Sequence, residues 1–216
     1  AAVVAQREGC KDVLVIEKSD KYGGTSAMSG GGIWIPNSHY ARAEGVKDSA
    51  DEALRYMQGV IGDEVTEVRM RTYVEKASEM LEYMAKNSRL QYETVPYSDY
   101  YPEKPGGKPL SSISSSSGDF GQLRWTMLER GIDLWLKSPL LELIEENGAV
   151  VGAVVERDGR RMAIRTRKGV VIGAGGFEHN QQMREQYLPQ PTSTEWSGSQ
   201  INNTGDGIRA AMDVGA

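Results

Sequence analysis

The chain has 216 residues, 39% of them hydrophobic, and a net charge of −5 from 25 basic and 30 acidic side chains. That is enough for one substantial core, and with no basic block it argues against nucleic acid or an anionic membrane surface as a partner. One cysteine, Cys10, can form no internal disulfide and points to a reducing, cytoplasmic setting, and no apolar stretch approaches the roughly 20 residues of a membrane span.

The first residues, AAVVAQRE, are compatible with a helix, and Gly9 stands where a left-handed cap would end it. DVLVI, residues 12–16, is a continuous apolar run of the kind covered on both faces in a parallel sheet, so helix then strand reads as a βαβ unit without its first strand. Ser49 and Glu52 make a capping box that opens a helix to about Val60, and Thr66 opens another. In that second helix Met70, Tyr73, Ala77, Met80, Leu81 and Met84 recur at helical spacing and predict one buried face. Residues 92–109 are rich in Tyr and Pro and read as loop, and the serine run 111–117 reads as a flexible connection.

A short helix near 121–129 then leads into IDLWL. Asn147-Gly148 and Asp158-Gly159 are two-residue hairpin signals, which predict a β-meander that returns through an apolar strand at 169–173. Asn180 can cap a helix ending before Pro189, and a last helix should start near Asp206.

Glu17 ends the first apolar strand, where a carboxylate can accept hydrogen bonds from a nucleotide ribose. The matching G-x-G-x-x-G fingerprint belongs about 20 residues earlier, which falls before Ala1. The loop Gly23-Gly24-Thr25-Ser26 with Ser29-Gly30-Gly31-Gly32 lets backbone approach a planar or phosphorylated ligand. TGDG, with Thr204, Gly205 and Asp206, opens the last helix so that amides and dipole would face an anion, and GVVIGAGG ends in Gly175-Gly176. Each loop alone also reads as a turn. His39 and His179 are too few and too far apart for a metal centre or a catalytic triad, so no metal is expected, and His179 reads as a helix-start or packing residue. Trp34 reads as a core aromatic or a ring against a planar ligand, and Asp99 as a turn former or a group tuning the adjacent tyrosines.

IEKSDKYGGTSAMSGGGIWIPNSH, VPYSDYYPEKPGG, KGVVIGAGGFEHNQQMREQYLP and NNTGDGIRAAMDVGA together resemble the FAD-dependent fumarate reductase and succinate dehydrogenase flavoprotein superfamily, in particular its 3-ketosteroid Δ1-dehydrogenase branch. The resemblance covers nearly the whole chain, with little match across 111–121. It implies an α/β fold: a Rossmann-like FAD-binding domain with a parallel sheet and β-meander at 1–40 and 119–216, and a helical insertion and loop at 41–118. It implies a cofactor set of Glu17, Lys18, Gly23, Gly24, Thr25, Ser26, Ser29, Gly30, Gly31, Ala174, Gly175, Gly176, Thr204, Gly205 and Asp206. Covalent members attach the flavin through a histidine of the glycine loop; none stands there in this chain, so FAD would be held non-covalently.

Members of this branch transfer hydride from steroid C1 to flavin N5, while a tyrosine takes the C2 proton and donors polarise the 3-keto oxygen. Carried over, the tyrosine is Tyr100, with Tyr101 as rival; read without the family, Tyr97, Tyr100 and Tyr101 are interface aromatics. The substrate domain that follows TGDG in the family is absent here, and SSISSSSGD replaces a longer segment. The chain is therefore expected to be a partial flavoprotein, truncated at both ends, that binds FAD weakly and does not turn over alone. The alternatives are an enoic-acid reductase of fumarate-reductase type, whose clamping arginines would lie outside the chain, and a non-catalytic remnant.

Overall fold

A computed structural model describes residues 1–95, 97–109, 112–115 and 119–216. In chain order the first half contains α1 (Ala2–Arg7), β1 (Leu14–Ile16), α2 (Gly24–Met28), β2 (Gly32–Trp34), α3 (His39–Ala43), α4 (Ala50–Ile61), α5 (Glu67–Asn87) and β3 (Tyr92–Thr94). There follow β4 (Ser112–Ser115), α6 (Asp119–Glu129), β5 (Asp133–Trp135), β6 (Leu140–Glu146), β7 (Ala149–Arg157), β8 (Arg160–Arg165), α7 (Gln181–Tyr187) and α8 (Asp206–Met212). Among the described residues no helix is long and apolar enough to cross a membrane. The chain forms two compact units, Ala1–Met28 with Met127–Ala216, and Ser29–Thr126.

In the first unit α1 closes in a Schellman motif: the Gly9 amide donates to Gln6 O and the Cys10 amide to Ala5 O, with Gly9 at φ +96°. β1 then pairs in parallel with β5, Val15 opposite Leu134. A strand with one neighbour is not enclosed, and all three β1 residues are half-buried rather than covered on both faces as expected. Asn147 (φ +55°) with Gly148 (φ +79°), and Asp158 (φ +52°) with Gly159 (φ +72°), make the primed turns of the predicted meander β6-β7-β8. The return strand predicted at 169–173 does not form. These residues pair with no strand among the described residues, and Val171 is 77% exposed; an apolar run becomes a strand only where a neighbour takes its backbone hydrogen bonds.

In the second unit Ser49 caps α4 by accepting the Glu52 amide at 3.2 Å. α5 buries Met70, Val74, Ala77 and Leu81, while Tyr73 and Met80 sit at the edge of that face, exposed by 39% and 40%. The predicted face is thus rotated, because Val74 and not Tyr73 is buried with Met70, Ala77 and Leu81, of which Ala77 and Leu81 pack with Ile35 in the core. The serine run is a second correction: Ser112–Ser115 is the central strand of the antiparallel sheet β2-β4-β3. Backbone pairing on both sides forms this strand despite serine's weak strand preference, and it also recruits Tyr92–Thr94, read above as loop. Ser111, Ser116 and Ser117 lie outside the described residues.

Leu81 is fully buried and Val68 is 74% exposed on the same helix. Leu81→Ala should therefore cost about 2–5 kcal/mol in urea unfolding and Val68→Ala less than about 0.5 kcal/mol; equal midpoint shifts would contradict this packing.

Candidate functional site

The end of β1 is the natural starting point. Main-chain pairing runs past the strand, with Glu17 N donating to Trp135 O at 2.8 Å and Ser138 N donating to Glu17 O at 2.8 Å, so the side chain of residue 17 leaves from a fixed backbone. One Glu17 carboxylate oxygen accepts the Ser19 amide at 2.8 Å; the other accepts no hydrogen bond among the described residues.

Lys18 points the other way and reaches almost the length of the chain. Its Nζ donates to Asn202 O at 3.0 Å, to Thr204 Oγ1 and to Asp206 Oδ2 at 2.6 Å. Asp206 also accepts from Thr204 Oγ1 at 3.0 Å and from the Arg209 guanidinium at 2.9 Å. Burial disfavours the charged form of Asp206, but hydrogen bonds from Lys18 and Thr204, the Lys18 charge and the Arg209 hydrogen bond outweigh it and hold the carboxyl below its usual range. The first turn of α8 is thus occupied by the helix's own acid.

The glycine turns of this unit are clasped by side-chain amides and hydroxyls. Thr25 Oγ1 accepts from Gln200 N at 3.1 Å and from Asn203 Nδ2 at 2.9 Å. Asn203 is buried, its carbonyl accepts the His179 amide at 2.9 Å, and its Oδ1 fills the space a Cβ on Gly175 would need, 2.8 Å away. Gly205 N donates to Gly176 O at 3.0 Å, and Asn180, the N-cap of α7, donates to Thr204 O at 2.9 Å. Thr25, Gly175, Gly176, Thr204, Gly205, Asp206 and Lys18 are therefore drawn into one hydrogen-bonded assembly. Ser26 and Ala174 are exposed beside it.

A Cβ added at Gly24 (φ +54°) or Gly173 would meet no atom within 4 Å, so open space runs along bare backbone at both places, as a group laid flat against amides requires. An open cleft of about 470 Å³ lies beside Lys18, walled by Pro139, Leu140, Leu141 and Ala210 and edged by Asp206, Arg209 and Asp213.

Ser29, Gly30, Gly31, Tyr100 and Tyr101 belong to the second unit. Ser29 Oγ accepts the Gly31 amide at 3.2 Å, and Gly31 has φ +77°. Tyr100 is 96% exposed; Tyr101 is about half exposed, and its amide donates to Tyr56 Oη at 3.2 Å. Burial pushes the phenol of Tyr56 up and so does that of Tyr73, which keeps both neutral.

Sequence reading passed over Gln200, Asn202, Asn203 and Arg209, and gave Asn180 only as a helix cap. Their signal was the amide-rich NN directly before TGDG, with the asparagine at 180 already legible as a cap.

Because folding lowers the Asp206 pKa, its pairing stabilises above the unfolded carboxylate value of about 3.9 and is lost as pH falls through the folded value. The gap in urea midpoint between the parent chain and Asp206→Asn should be widest at neutral pH and close below about pH 4; a gap that widens on acidification would contradict the arrangement.

The FAD binding domain family matches residues 1–216. The 3-oxosteroid 1-dehydrogenase of Mycolicibacterium smegmatis is 34% identical over 292 residues, taking in 100% of this chain and 51% of that protein. The structure of 3-ketosteroid delta1-dehydrogenase from Sterolibacterium denitrificans, solved with 1,4-androstadiene-3,17-dione, matches at 37% identity and TM-score 0.90 over 100% of this chain and 52% of that one. An acrylate reductase flavoprotein subunit of Shewanella woodyi is 27% identical over 230 residues, covering 100% of this chain and 44% of that protein. The chain spans about half the length of the curated relatives it matches first.

Proposed function

The chain belongs to the FAD binding domain family, and we propose that it serves dehydrogenation of the A ring of 3-oxosteroids. The observation that carries this reading is the whole-chain similarity to 3-oxosteroid 1-dehydrogenase, joined to bare backbone facing open space at Gly24 and Gly173 and a carboxylate oxygen of Glu17 that accepts no hydrogen bond among the described residues.

Bound FAD supplies a two-electron acceptor. This chain's residues then have separable tasks. Glu17 would offer its unengaged carboxylate oxygen to ribose hydroxyls, and the open space along the bare backbone at Gly24 and Gly173 would receive the cofactor, while Gly175 and Gly176, whose missing Cβ positions are taken by Asn203 and Glu178, would contribute main chain only. Thr25 and Asn203 keep those turns in one shape. Lys18 is neutralised by Asp206, so affinity for a diphosphate comes from main-chain amides more than from this cation. Tyr100, its own proton released to the solvent it faces, would take as phenolate the proton from the carbon next to the 3-keto group, whose acidity rises as the keto oxygen is polarised. Tyr101 is the lesser choice, since its main chain is tied down against Tyr56. Cys10, a free thiol, fits a cytoplasmic setting.

With the chain complemented by the half of a 3-oxosteroid 1-dehydrogenase that it does not span, and supplied with FAD, a 3-oxosteroid and an artificial electron acceptor, Tyr100→Phe should lower kcat by about 10²- to 10⁴-fold with KM little changed, and Tyr101→Phe by less than about tenfold. Turnover of an unsaturated carboxylate such as acrylate with a reduced dye, and none of any 3-oxosteroid, would replace this reading by the reductase one. No histidine stands in the Gly23–Gly32 stretch; acid precipitation of the loaded protein should accordingly leave all yellow colour in the supernatant, and flavin retained in the pellet would refute non-covalent binding.

A further inference from the structure

The second unit contains a loop that is far better held than its composition suggests. Asp99 is 4% exposed beside Tyr100, which is 96% exposed. Both oxygens of the Asp99 carboxylate are used: Oδ1 accepts from Trp34 Nε1 at 2.7 Å and Oδ2 from the Lys108 amide at 2.6 Å. The Asp99 amide donates in turn to Lys108 O at 2.9 Å, so residues 99 and 108 close the loop by main chain and side chain together.

The described partners of these two residues are themselves held. The Trp34 ring stacks on Tyr73 at 4° and 6.1 Å and lies 5.7 Å from Tyr56. Lys108 Nζ donates to Glu52 Oε2 at 2.9 Å, and Gly106 (φ +87°) runs so close to α4 that a Cβ there would come within 2.2 Å of Glu52 O. Inside the loop Gly107 N donates to Lys104 O at 2.8 Å and Lys104 N to Tyr101 O at 3.0 Å.

We propose that Asp99 is a positioning residue: it latches residues 99–108 to the Trp34 indole so that the Tyr100 phenol is offered in one place. The inference rests on the reading of Tyr100 as proton acceptor and adds the group that aims it. The chemistry requires aspartate, because both neighbours are N–H donors and only a carboxylate has an acceptor on each side. An asparagine of the same shape sets an NH₂ against one of them and opens one end of the latch.

A double-mutant cycle on the FAD-loaded protein tests this. Asp99→Asn should lower kcat on a 3-oxosteroid by about tenfold or more, and in a Tyr100→Phe background should lower it no further, since both changes remove the same event. Trp34→Phe, which keeps the ring stack and deletes one donor, should behave alike with a smaller loss. Equal losses from Asp99→Asn in both backgrounds, or no loss in either, would overturn the proposal. Amide exchange is the second measurement: protection at residues 100–107 should fall about tenfold in Asp99→Asn or Trp34→Phe while α5 is unchanged, and unchanged loop protection overturns the latch. If the parent chain, complemented in the same way by the half of a 3-oxosteroid 1-dehydrogenase that it does not span, turns over no 3-oxosteroid, the functional reading fails and the exchange result alone decides whether Asp99 holds the loop.

Discussion

Glycine-rich backbone has the most conformational freedom to lose, so a loop stripped of side chains keeps one shape only when other parts of the chain hold it. The first unit meets that constraint at Thr25, which is bound by Gln200 and Asn203 from 175 and 178 residues further along. The same Asn203 amide stands against Gly175, and the Gly205 amide closes onto Gly176. Three glycine turns distant in sequence are thereby fixed by the buried Asn203 amide together with the bond between Gly205 and Gly176. At Gly175, Gly176 and Gly205 a side chain would collide with Asn203, Glu178 and Met183, whereas Gly24 and Gly173 face open space.

The charges at the end of β1 follow from the same demand for order. Lys18 and Asp206 are only partly exposed, at 30% and 23% of their side chains, and a pair so placed loses hydration that its mutual attraction must offset. Thr204, Asn202 and Arg209 make up the difference by adding directed hydrogen bonds to both partners. What results is a joint between the first strand and the last helix rather than a free cation.

Local chemistry was legible in the sequence wherever the partner lay within a few residues. The capping serine at 49, the Asn180 cap, the two primed turns and the Gly9 terminus all depend on neighbours in the chain, and all formed where read. Strands were misread in both directions for one reason. Ser112–Ser115 has weak propensity but a neighbour on each side, whereas residues 169–173 have strong propensity and no neighbour among the described residues. The α5 face was off by one position because periodicity counts apolar residues without knowing which of Tyr73 and Val74 the core admits. At the site, glycines and Glu17 announced themselves by composition. Asn203 and the Asp99 to Trp34 bond did not, since the latter joins positions 65 residues apart.

A dehydrogenase and a reductase each match this chain along its whole length, so the shared scaffold does not by itself choose between removing and adding hydrogen. That choice lies with groups that meet the substrate. In the second unit a buried carboxylate, a stacked indole, a charged pair and two closely packed glycines converge to order a loop whose most prominent side chain, Tyr100, stands in open solvent. Ordering a loop costs about 1–2 kcal/mol per residue in backbone entropy, and an exposed phenol returns none of it. The frame's contacts are spent inward and leave one hydroxyl standing on a fixed loop, which is what the proposed proton transfer would require of Tyr100.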